Sequence, residues 1–251
     1  MISFLLALQF LTVIPLRVRI VNSRKIADSL IYFPVVGLLI GLILSGLNNL
    51  LLISSFNELS TNIILVVVLA AITGNIHLDG LSDTFDALMS GKPRDEALKI
   101  MRDPHIGVMG VVSIACVLLL KIAFLSSMDP LIKPAVLIFM GILSRWSLVL
   151  AIFLFPYARA EGKAADFFAG KSFKIFLLSI LTVFLFLFMQ PATKIINFTV
   201  LVSIVIFTLV FGYSMKRKFG GLTGDILGAL CELNELVVLL LIPFLTRIKC
   251  Y

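Results

Sequence analysis

The chain has 251 residues, 60% of them hydrophobic and only 14% charged; with a mean hydropathy of +1.13 it has too few charges to cover a water-facing globule, where roughly 25% is usual, so a soluble enzyme is excluded and the bilayer must be its solvent. The net charge of +7 has a source in the Lys and Arg that cytoplasmic loops of a polytopic protein collect, so no nucleic-acid partner is expected. Cys116, Cys231 and Cys250 are odd in number, lack motif spacing and sit in or beside apolar runs, which argues against a disulfide framework and a zinc site.

The opening "MISFLLALQFLTVIPL" has no basic residue ahead of its apolar run and no small-residue cleavage site behind it. It reads as a retained segment too short to span, lying in or dipping into the inner leaflet. A spanning helix needs about 20 apolar residues. Seven runs approach that length: about 28–54, 62–78, 106–126, 133–156, 174–190, 195–215 and 226–246. The second is short, and only "PATK" separates the fifth from the sixth. With no repeat, low-complexity tract or linker, residues 1–251 are expected to form a single membrane-embedded domain. Its fold would be an all-α polytopic integral membrane bundle of about seven transmembrane helices plus the short N-terminal apolar segment. The connections 17–27, 79–105, 157–173 and 216–225 hold fourteen Lys and Arg, from Arg17 and Arg19 to Lys218. The opposite set holds four: Lys133, Lys194, Arg247 and Lys249. That asymmetry puts the basic loops in the cytoplasm and the protein in the cell (inner) membrane.

After the second run comes "GNIHLDGLSDTFDALMSGKPRD", residues 74–95. Asp79, Asp83 and Asp86 stand at i, i+4 and i+7, within roughly a 60° arc of a helix. Three carboxylates on one stripe repel unless a cation lies between them, and an all-oxygen set suits Mg²⁺ or Mn²⁺. A solvated helix start would also favour acids in its first turn, but three Asp with a histidine and Gly80 at the end of an apolar span fit a site better. His77 is a base, a phosphate donor or a partner to the ligands. "MRDPHIGVMG" adds Arg102, Asp103, His105 and Gly107, and "FPYARAEGK" adds Tyr157, Arg159, Glu161 and Lys163. Taken alone, Arg102 and Arg159 would be membrane-interface anchors; opposite a carboxylate cluster they become phosphate clamps. In "GGLTGDILGALCELNEL" Asp225 follows Gly220, Gly221 and Gly224 at a helix start, a natural anion or metal site. Glu232 and Glu235 lie deeper on the same side, where an ionisable group needs a partner. Both could pair with Arg145 or Lys121; a substrate role is preferred for Glu232, and Glu235 is left open. Metal plus arginines at one face points to phosphoryl transfer.

At these residues the chain resembles the cobalamin synthase family, the adenosylcobinamide-GDP ribazoletransferases. Five blocks carry the resemblance in order: "ALQFLTVIPL", "GNIHLDGLSDTFDAL", "MRDPHIGVMGV", "SRWSLVLAIFLFPYARAEG" and "GGLTGDILGALCELNEL". Asn75 stands where a second glycine is common, and Ala160 where an acid is common; neither removes a candidate ligand. The resemblance implies a membrane enzyme joining adenosylcobinamide-GDP to α-ribazole, or to its 5′-phosphate, with release of GMP and with Mg²⁺ as cofactor. On that reading His77 and Asp83 are catalytic, and Asp79, Asp83, Asp86 and Asp225 hold the metal. Arg102, His105, Arg159, Thr223 and Glu232 bind substrate. Membrane lipid surrounds the bundle. A homo-oligomer, or association with other nucleotide-loop assembly enzymes, is allowed for.

Two rival readings are set beside this one. A CDP-alcohol phosphotransferase has a signature resembling DGxxAR, and "DGLSDTFDA" lacks its Ala-Arg pair. A cation- or proton-coupled transporter would want its acids near the bilayer midplane, whereas most of these lie at one face.

Overall fold

The computed structural model describes residues 2–16, 22–162, 164–188 and 194–248. Arg17, Arg19, Lys163, Lys249 and Cys250 lie outside the described residues, as does the side chain of Arg247. The described chain is helical, with no strand. This follows from its solvent: in hydrocarbon every backbone N–H and C=O must be satisfied within the segment. In order come α1 (Ile2–Leu11), α2 (Ser23–Asp28) leading through a 3₁₀ turn into α3 (Phe33–Ile53), α4 (Glu58–Thr73), α5 (Ile76–Met89), α6 (Arg94–Ile100), α7 (Val108–Ser126), α8 (Lys133–Leu154), α9 (Ala165–Ala169), α10 (Phe173–Phe188), α11 (Lys194–Phe219) and α12 (Gly224–Ile248).

Five segments are long and apolar enough to cross a membrane: Ser23–Ile53, Val108–Ser126, Lys133–Leu154, Lys194–Phe219 and Gly224–Thr246. A sixth arises if α4 and α5 are taken as one bent span. The chain is thus a multi-pass membrane protein, and the difference from the seven expected runs falls at the second and fifth. The helices there, α4 and α10, have 16 residues each, about 24 Å at 1.5 Å per residue. That is short of the ~30 Å hydrocarbon core. At ten residues, α1 is shorter still, as expected.

The central helix is α8, with 89% of its apolar window enclosed by protein. It crosses α3 closely because small residues meet there. The backbones of Gly37 and Gly141 touch, and a Cβ on Gly41 would lie 2.5 Å from Ile138 Cα. Between membrane helices, such approach supplies packing where no hydrophobic drive exists. One continuous apolar core runs through α3, α8 and α12.

The basic connections gather at one end. Arg94 at the start of α6 reaches the backbone of both the α8–α9 and α11–α12 connections. The Lys218 Nζ donates to the Lys92 carbonyl at 3.0 Å, and α2 packs on α9. Lys133 is at the other end, donating to Glu58 at 3.0 Å and to Asn62 at 3.1 Å.

Candidate active site

The acidic stripe is aimed by a break in the chain. The helix α4 ends on Gly74 (φ 62) and Asn75 (φ 58), two left-handed residues in succession. The amide of Gly74 donates to Ala71 O and that of Asn75 to Ala70 O, which closes the last turn. The axis then turns by 89° into α5. Asn tolerates a positive φ better than most side chains, so Asn75 does here what a glycine would do. The turn lays α5 across the start of α12. They meet at Gly80, where a Cβ would lie 2.6 Å from the Asp225 carbonyl oxygen. Asp79 and Asp225 are thereby brought to the same place from opposite ends of the sequence.

Three further devices hold this end. The Thr223 hydroxyl accepts the Ile226 amide at 3.2 Å and lies 3.4 Å from Asp225 Oδ2, capping α12. Residues 156–158 run beside 222 as an isolated parallel bridge, with Ala158 N–H to Leu222 O at 2.8 Å and Leu222 N–H to Pro156 O at 2.9 Å. The next residue, Arg159, sets its Nη2 3.0 Å from Asp225 Oδ2.

Between these elements lies a cavity of about 450 Å³, within the range of small-ligand sites. Its lining includes the polar side chains Asp79, Arg102, Arg159, Glu161 and Asp225. Phe10, Phe33, Leu148, Ile152 and Leu227 contribute apolar surface. His77 also lines the cavity; it is 4% exposed, and its Nδ1 has no hydrogen-bond partner. The buried Nε of Arg159 is unpartnered too. Buried polar atoms are rarely left so unless something else meets them. Tyr157 adds a half-buried phenol whose burial raises its pKa. Another cavity, about 390 Å³, opens between α8, α11 and α12 at the other end, but its lining carries no ionisable group.

Not every expected site residue comes to this cavity. Asp83, one turn along α5, is outside the lining but close enough to feel the charges of Asp79, Asp225, Asp86 and Arg159. Asp86 is diverted: its Oδ2 accepts the Gly107 amide at 2.7 Å and its Oδ1 the Gly110 amide at 2.8 Å. It serves as a remote cap for α7, since the first amides of that helix have no partners of their own. Thr223 is fully buried as a cap and does not face the cavity. His105 is exposed and pairs with Asp103 at 2.7 Å, and its contacts hold the Asp103 carboxyl below the usual range. Glu232 lies inside the bundle and not in the cavity lining, accepting from Lys121 Nζ at 2.6 Å. Glu235 pairs with both Lys121 and Arg145. Two cations and two anions thus balance inside the membrane, where an unpaired charge is costly.

Three contributors do not stand out in the sequence: Gln9, Phe10 and Arg94. Gln9 and Phe10 bring α1 to the cavity wall; a lone amide within ten apolar residues was the available signal. Arg94, one of the fourteen basic residues of the connections, donates its guanidinium to Phe219 O at 2.8 Å and Ala158 O at 3.1 Å.

Among the described residues, no three His, Cys, Asp or Glu side chains converge tightly enough to chelate a metal by themselves. The donor chemistry of Asp79, Asp83 and Asp225 nevertheless suits Mg²⁺, a hard cation that combines carboxylate oxygens with water and substrate phosphates.

A helical membrane bundle that gathers carboxylates and arginines at one cavity has the frame of a membrane-embedded transferase. The chain belongs to the cobalamin-5-phosphate synthase family, whose model matches residues 3–243. Its relatives include proteins named adenosylcobinamide-GDP ribazoletransferase. The one from Desulforamulus reducens is 36% identical over 244 residues, 96% of this chain and 95% of its own length. The Desulfitobacterium hafniense protein is 38% identical over 242 residues, 94% of each chain. That of Clostridioides difficile is 34% identical over 255 residues, 96% of this chain and 97% of its own. No solved structure matches the chain.

Proposed function

We propose that the protein joins adenosylcobinamide-GDP to α-ribazole, or to α-ribazole 5′-phosphate, and releases GMP, at the end of the bundle that faces the cytoplasm. The observation that carries the site assignment is the meeting of Asp79, Asp225, Arg102, Arg159 and His77 at one cavity. The family and the names of its relatives supply the substrates.

In the reaction the ribazole 3′-hydroxyl oxygen forms a bond to the phosphorus attached to the cobinamide arm. The bond from that phosphorus to the bridging oxygen of the pyrophosphate breaks, and GMP leaves with the electron pair. Arg159 and Arg102 bind the nucleotide phosphates, their guanidinium donors matching phosphate oxygens. His77, whose Nδ1 is unpartnered, accepts the hydroxyl proton at that atom. The apolar wall of Phe10, Phe33 and Leu227 excludes water, which would otherwise compete as the nucleophile. Asp79, Asp83 and Asp225 would hold Mg²⁺, with Asp86 committed to its cap. Bound there, Mg²⁺ supplies charge neutralisation for the pyrophosphate and the leaving group. All these roles fall on one chain, so the chemistry does not call for a second copy. The paired state of Glu232 and Glu235 leaves no free intramembrane acid there for a transporter.

The test is purified protein in lipid with adenosylcobinamide-GDP, α-ribazole and Mg²⁺. GMP release that stops with a chelator and returns with Mg²⁺ is expected. Absence of GMP from folded protein would overturn the reading, and full release with the chelator present would overturn the metal alone.

A further inference from the structure

We propose that Arg94 is a positioning residue for the transferase site, acting through Arg159. The proposal rests on the reading of the site given above. Arg94 does not line the cavity, so it makes no contact there to lose. Its role lies in what it joins. The Nε donates to the carbonyl of Phe219, the last residue of α11, at 2.8 Å, and Nη2 donates to the carbonyl of Ala158 at 3.1 Å. The first is a cation at a helix C-terminus, where the unpaired carbonyls concentrate partial negative charge. The second grips the residue immediately before Arg159.

Three connections far apart in sequence therefore meet on one guanidinium. α6, which carries it, leads into Met101 and Arg102 at the cavity. The Ala158 carbonyl fixes the segment that presents Arg159. The Phe219 carbonyl fixes the approach to Thr223 and Asp225. Ala158 and Leu222 are already tied by their own backbone bond of 2.8 Å, and Arg94 closes the triangle from outside. The neighbouring bond from Lys218 to the Lys92 carbonyl, 3.0 Å, ties α11 to the connection just before α6, so losing Arg94 need not detach the two elements. A planar fork meets two carbonyls in fixed directions. A lysine ammonium on a flexible stem meets one or both with less constraint.

The expected consequence is a site that folds but is not preorganised. Misplacing a charge-stabilising group by about 1 Å can cost on the order of a hundredfold in rate. The experiment compares the parent with Arg94→Met, Arg94→Lys and Arg159→Gln in lipid, by GMP release and by amide hydrogen exchange. For Arg94→Met, kcat should fall roughly tenfold or more. Exchange should rise at residues 157–160 and 220–223, while the amides of α3 and α8 keep their protection. Arg94→Lys should recover part of both effects. Arg94→Met within about twofold of the parent, beside an inactive Arg159→Gln, would overturn this proposal and leave the site reading standing. Lost activity with unchanged exchange at 157–160 would also overturn it. A fully active Arg159→Gln would strike the site reading itself and remove the residue through which Arg94 is said to act.

Discussion

Asp83 and Asp86 are three residues apart on one helix, yet their surroundings assign them different work. Asp83 lies within the field of Asp79 and Asp225, while both oxygens of Asp86 are occupied by amides of the next long helix. Asp83→Asn is expected to insert and purify normally and to lose more than about a hundredfold in turnover, as loss of one ligand to a hard cation should cause. Asp86→Asn should behave differently. A neutral amide can accept one of the two bonds but cannot match the charge at the N-terminus of α7. The cost should be about 1–3 kcal/mol of stability. Thermal melting in detergent, read beside GMP release, separates the two. An Asp86→Asn protein that melts like the parent and is as inactive as Asp83→Asn would put Asp86 back in the chemistry. The stripe of acids was legible in the sequence because helical spacing depends only on local geometry. The diversion of Asp86 was not, because the amides that claim it belong to residues 107 and 110, brought close only by tertiary packing.

Elements meet here at points with no room to spare, which makes glycine the sensitive residue. Gly80 faces the Asp225 backbone, and backbone cannot rotate away as a side chain can. Gly80→Ala should therefore push α5 off the start of α12, separate Asp79 from Asp225, and lower GMP release by roughly tenfold or more. Gly46 on α3 is the control, since nothing lies within 4 Å of its would-be Cβ. Gly46→Ala should leave activity unchanged and add up to about 1 kcal/mol of stability by favouring the helix. Equal loss of activity in both variants would mean that the effect at Gly80 is not this crossing. Hydropathy located α4 and the acids after it, but not the 89° turn between them. Its cause is two consecutive residues with positive φ, and the second is an asparagine, whose left-handed state is a preference and not a rule.

Across the molecule, charge is arranged in two ways. Within the bundle, Lys121, Arg145, Glu232 and Glu235 set two cations against two anions. Lys121→Met leaves Glu232 without its cation and should cost about 3–5 kcal/mol. Adding Glu232→Gln restores neutrality, with Glu235 still held by Arg145, and should recover much of that loss. Glu232→Gln alone should lower the melting temperature more than the turnover. The opposite result, normal melting with turnover lost, would return Glu232 to the substrate. At the bundle ends, the gathered basic connections predict that Lys99→Cys and Arg217→Cys label from the cytoplasmic side, and Leu131→Cys from the other. The test uses a chain from which Cys116, Cys231 and Cys250 have been removed. Labelling of positions 99 and 217 from opposite faces would refute the orientation and the composite site together.

The sequence alone determined the solvent, the helical class, the basic end and the family resemblance. Each follows from properties summed or ordered along the chain: hydropathy, net charge, and the order and spacing of motif residues. The tertiary structure decided which partner each polar side chain takes. It gave Glu232 to Lys121, Asp86 to the start of α7 and Thr223 to the start of α12. It also placed Gln9 at the cavity wall and Arg94 between two carbonyls. The physical reason is that a hydrogen bond or ion pair forms over about 3 Å in space, and residues 94, 158 and 219 become neighbours only when their helices cross.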